Sequence, residues 1–63
     1  MNFKVNLKTI RKSKKMTQQQ LAEKSGINYA NICNYEQGIH EPSFEILEKL
    51  KIALDCSYDD LLN

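Results

Sequence analysis

The chain has 63 residues, 41% of them hydrophobic and 27% charged, with a formal net charge of +1. That suffices for one small domain, of a size that buries about 60% of the surface its unfolded chain exposes. No apolar run approaches the ~20 residues of a membrane span, and no secretory signal pattern opens the chain, so the expected compartment is cytoplasmic. Cys33 and Cys56 are the only cysteines, with no CxxC and no second Cys/His cluster, so neither a metal site nor a cofactor is expected. Counting leaves one disulfide open; a reducing compartment argues against it. The near-zero net charge hides an uneven distribution. Residues 1–24 carry seven Lys and Arg against one acid, residues 25–63 two against seven. Such asymmetry suits a positive face for a polyanion, or simply two solvated surfaces of opposite sign.

Met1 to Val5 is a lead-in with two options open: Phe3 and Val5 on the core edge, or a mobile arm. A first helix is predicted from Asn6 to Lys14, with Leu7, Ile10 and the stem of Lys14 sharing a face. Lys12, Lys14 and Lys15 gather at its C-terminal end, where cations suit the helix dipole. Thr17 with Gln20 fits a capping box, which predicts a second helix over residues 18–25 carrying Leu21 and Ala22 inward. Its N-terminus offers free backbone N–H groups and the donors of Thr17, Gln18 and Gln19, a ready anion site. Gly26 ends that helix as a left-handed residue.

Asn28 can cap a third helix at once, expected to run to Gln37 and to close at Gly38. So tight a glycine turn makes the two helices cross steeply, as in a helix-turn-helix. Ile32, Tyr35 and part of Glu36 lie on one side of the third helix, with Ile27 behind them. Ala30, Cys33, Asn34 and Gln37 lie on the other, flanked by Tyr29 and Asn31. That outer face is uncharged and rich in amides. An amide can bond adenine N6 and N7 together, and an alanine methyl can meet a thymine methyl. Asn28, Tyr29, Ala30 and Asn34 are therefore the expected base-proximal set, with Asn31 beside them as a phosphate contact. Cys33 is either a redox-sensing thiol or, more simply, a small passive residue. The following loop runs Gly38-Ile39-His40-Glu41-Pro42, with Gln37, His40 and backbone N–H groups as its donors and Glu41 as its one acid.

Pro42 ends the loop and Ser43 caps a fourth helix, expected over residues 43–54. Phe44, Leu47, Leu50 and Leu54 form its core stripe, leaving Ile46 and Ile52 off it. Asp55-Cys56-Ser57 makes a turn, Ser57 with Asp60 resembles a second capping box, and a short fifth helix, Tyr58 to Leu62, closes the core with Leu61. The fold class is thus all-α: a compact five-helix single domain over residues 1–63, with its core in residues 6–62.

The pattern Gln18-x-x-Leu21-Ala22-x-x-x-Gly26-Ile27-Asn28-x-x-x-Ile32-x-x-Tyr35-Glu36-x-Gly38 resembles the lambda-repressor-like (Cro/XRE-type) helix-turn-helix DNA-binding family of phage repressors, Cro proteins and small bacterial regulators. The resemblance implies an ion pair between Arg11 and Glu36, a phosphate clamped at Gln18, bases read at the positions of Tyr29, Ala30 and Asn34, and a loop against the sugar-phosphate backbone, where Gln37, His40 and backbone N–H groups are the expected phosphate contacts and Glu41 should point away. Tyr29 departs from the small polar residue often found there. The expected function is a sequence-specific regulator of transcription, a repressor, reading the major groove of double-stranded DNA with the third helix. Reading more than a few base pairs calls for a homodimer, formed in solution or only on DNA, with Ile52, Tyr58 and Leu62 as its interface candidates. The rival reading is an antitoxin-like protein-interaction module that also binds its own promoter. An enzyme is not expected, because no nucleophile–base or metal constellation is present, and no small-molecule ligand is evident.

Overall fold

The computed structural model describes residues 2–63. Five helices follow one another: α1 (Phe3–Ser13), α2 (Gln18–Ser25), α3 (Tyr29–Gln37), α4 (Phe44–Leu54) and α5 (Tyr58–Leu62), with no strand among the described residues. α1 packs on α3 and α5, α2 on α3 and α4, and α4 on α5. Leu7, Leu21, Ile32, Leu50, Leu54 and Leu61 are wholly buried, so every helix contributes at least one side chain to a single core. Each such burial is worth about 1.5–3 kcal/mol.

The helix ends are set by local chemistry. Thr17 Oγ1 accepts from the Gln20 N–H at 3.0 Å, and Gln20 Oε1 accepts from the Thr17 N–H at 2.8 Å. Ser57 and Asp60 repeat this reciprocal pair at the start of α5. Ser43 and Asn28 cap α4 and α3 through their side-chain oxygens. Gly26 and Gly38 end α2 and α3 at φ of 74° and 78°. At Gly26 a Cβ would meet nothing within 4 Å, so the backbone alone asks for glycine there.

Three expectations need correction. α1 begins at Phe3, three residues before the predicted start. Phe3 is buried edge-on against Tyr35, with ring centroids 6.1 Å apart, and the Asn6 side chain donates to the Leu61 carbonyl at 3.0 Å. These contacts hold the lead-in as a helical turn; Val5 faces solvent, and Met1 lies outside the described residues. Lys14 is exposed just beyond the helix, so the inward stripe is Phe3, Leu7, Ile10 and Arg11. On α4, Phe44 is 67% exposed and does not join the core stripe; Ala53 and Ile46 do, because the inward face of α4 is rotated from the predicted one.

Candidate nucleic-acid interface

A side-chain network joins three helices behind the outer face of α3. Arg11 sits on the inward side of α1. Its Nε–H and Nη2–H donate to Glu36 Oε2 and Oε1 at 2.6 and 3.0 Å, and its Nη1–H donates to the Met16 carbonyl at 2.7 Å. The two side chains are only 9% and 3% exposed. A planar guanidinium meeting a carboxylate in this two-pronged way fixes direction as well as distance. Glu36 Oε1 also accepts from Gln18 Nε2 at 3.2 Å, and the Cys33 thiol donates to Gln18 Oε1 at 3.5 Å. Every buried polar side-chain atom among the described residues has a partner.

This network orients Gln18, the first residue of α2. One of its two amide hydrogens is committed to Glu36, which leaves the other free for an anion. The N–H groups of Thr17 and Gln20 are spent in the capping box. Those of Gln18 and Gln19, the first two of the helix, carry no intrahelical partner, and Gln19 and Thr17 are exposed. Cys33 does not lie on the outer face as expected. It is half-buried and turned toward α2, where it meets Gln18. Sequence spacing within α3 could not show this, because the partner comes from another helix.

At the start of α3, Asn28, Tyr29, Ala30 and Asn31 are all exposed, and Asn34 is half-buried one turn on. Asn28 Oδ1 accepts the Ala30 N–H at 2.8 Å, which uses one of the oxygen's two lone pairs and leaves its NH₂ unengaged. The side chain of Asn34 makes no hydrogen bond to another described residue and has both ends available. Tyr29 is 47% exposed; its interaction with the neighbouring Cys33 side chain pushes its phenol above the ordinary ionisation range. It is a neutral hydroxyl at physiological pH.

At the far end of α3, Gln37 and His40 are exposed. The loop N–H groups expected to meet phosphate are in part unavailable. Gly38 N–H donates to the Tyr35 carbonyl at 3.2 Å and Ile39 N–H to the Asn34 carbonyl at 3.0 Å, closing the helix end. Lys4, which the sequence reading passed over, lies across this turn. A Cβ on Gly38 would come within 2.8 Å of Lys4 Cδ. The dimer candidates lie on other elements: Ile52 on α4 is 71% exposed, and Tyr58 and Leu62 on α5 are half-buried.

A model of the helix-turn-helix family matches residues 7–61, nearly the whole chain. The chain therefore belongs to the helix-turn-helix family, of the Cro/C1 type. It is also similar to an uncharacterised HTH-type transcriptional regulator, YqaE, of Bacillus subtilis (strain 168), with 45% identity over 60 residues. That match takes in 95% of this chain but 52% of the relative, so the chain spans about half the length of the curated relative it matches. No solved structure matches the chain.

Proposed function

We propose that this chain is the double-stranded DNA-binding domain of a transcription regulator, acting as a repressor, and that α3 reads base edges in the major groove. One observation carries the reading: the exposed, uncharged face of α3 is braced from behind by Arg11, Glu36 and Gln18 rather than covered by another helix. Nine residues of α3 span about 13 Å, enough to follow a few base pairs. Tyr29, Ala30 and Asn34 are the base readers, with Asn28 beside them at the start of the helix. Thr17, Gln18, Gln19, Asn31, Gln37 and His40 contact phosphates. Anchored at both ends in this way, the helix is set in register before any base is read.

The domain works as a homodimer through α4 and α5. Phe44, left out of the core, stacks on Tyr58 with centroids 5.7 Å apart, and Lys51 Nζ sits 5.2 Å over the Tyr58 ring. Ile52 on α4 is exposed as well, and these residues with Leu62 are the candidates for an apolar dimer surface. No helix among the described residues is long and apolar enough to cross a membrane.

The test is selection of binding sites from random duplex DNA. An enriched palindrome with half-sites about 34 Å apart is expected for a two-fold dimer. Recovery of no sequence above background would overturn the reading, and an enriched single half-site would remove the dimer from it.

A further inference from the structure

The two ends of the helix-turn-helix differ in what they offer a phosphate. The start of α2 has unpaired backbone N–H groups and the positive end of a helix dipole. The end of α3 has neither. Its dipole presents negative charge there, its last turn carries no basic residue, and the N–H groups of Gly38 and Ile39 are consumed by helix carbonyls. A polyanion passing this end needs cations from elsewhere in the fold.

α1 supplies them. Lys4 and Lys8 are one turn apart on its exposed side, and both are exposed. Together with Gln37, Glu36, Val5 and Thr9 they line an open groove of about 220 Å³ between α1 and the end of α3. The stem of Lys4 lies over Gly38, and its Nζ would be 3.5 Å from a Cβ there, so the ammonium sits directly on the turn. Neither lysine pairs with a carboxylate among the described residues. Glu36 in the groove is already engaged by Arg11 and Gln18. The absence of a side chain at Gly38 is what lets Lys4 come so close.

We propose that Lys4 and Lys8 form a phosphodiester-binding pair that anchors the C-terminal end of α3 on duplex DNA, as the start of α2 does at the other end. This rests on the reading of α3 as the recognition helix. Phosphate contacts carry no sequence information, so the pair sets affinity and register without choosing bases.

The experiment measures binding of labelled duplexes, one selected and one scrambled, between 50 and 200 mM salt (about the range over which counterion release is read). Lys4→Gln, Lys8→Gln and the double variant are compared with Lys4→Arg and with Lys49→Gln, whose lysine pairs with Glu45 on α4. Each Gln variant should weaken both duplexes by the same factor, about 3–10-fold, and flatten the log K against log salt slope by about 1 per lysine. Lys4→Arg should restore binding, and Lys49→Gln should leave the slope alone. Lys8 packs over no turn, so Lys8→Gln tests the pair even where Lys4→Gln melts early. A double variant that keeps the wild-type slope, or loses affinity only on the selected duplex, overturns the pair while leaving α3 in the groove. Wild-type protein without duplex affinity overturns the reading of α3, and the pair with it.

Discussion

Asp55 ends α4 in the left-handed region at φ 51°, a conformation that costs a side-chain-bearing residue about 1 kcal/mol or more. Its carboxylate also faces the carbonyl end of the helix dipole, the wrong sign for that position. Asp55→Gly should therefore stabilise the fold by about 1 kcal/mol net of the added backbone entropy. In a domain this small, that raises the melting temperature by about 4–8 °C, which calorimetry would read directly. Arg11 makes the opposite case. With Glu36 only 3% exposed, Arg11→Met strands a carboxylate, at a cost of about 3 kcal/mol. Adding Glu36→Leu should recover part of that loss, and denaturant unfolding of the two variants would show whether it does. At this scale the sequence was least informative about Phe44 and Cys33. Helical periodicity lists the residues that share a face. It does not say by how many degrees that face is turned toward its neighbours, and both residues sit near its border.

The elements themselves were legible because their ends carry their own chemistry. Thr17 with Gln20, Ser57 with Asp60, and the glycines at 26 and 38 mark boundaries through bonds a few residues long. The start of α1 was missed for the converse reason: no side chain caps it, and Phe3 is held by Tyr35 and the body of the domain. The candidate site divides in the same way. The residues exposed at the start of α3 could be read from its period. The cap at Asn28 is likewise a local bond; the turning of Cys33 toward Gln18 and the reach of Lys4 over Gly38 depend on how helices distant in sequence meet. Of the proposed readers, Asn34 is the one amide with both ends unengaged. Asn34→Ala should cost about 1–3 kcal/mol on a selected duplex and little on a scrambled one. Equal losses on both duplexes in a titration would take Asn34 out of the reading set.

At the scale of the whole domain, the described residues extend 24 Å at most, short of the ~34 Å that separates successive major-groove faces. One copy cannot engage two half-sites, which is the physical ground for the proposed dimer. Small size also means that a few titrations bear on total stability. Burial first, then the Asp60 and Asp55 carboxylates, push the Cys56 thiol above its ordinary range, partly opposed by Lys14 and Lys51. The raised value belongs to the folded state. As pH climbs past about 8.5, the unfolded chain ionises first, and stability falls until the folded thiol ionises too. Below that window the contribution is fully present. Thermal melts from neutral to alkaline pH should show a shallower decline for Cys56→Val than for the wild type.

The shared carboxylate of Glu36 has one more consequence. It gathers donors from α1 and α2, and the thiol of Cys33 completes the loop back to α3 through Gln18. Anyone transplanting the reading surface to a new scaffold would have to move Arg11, Gln18, Cys33 and Glu36 with it. A graft of α3 alone would carry the letters without the hand that holds the page.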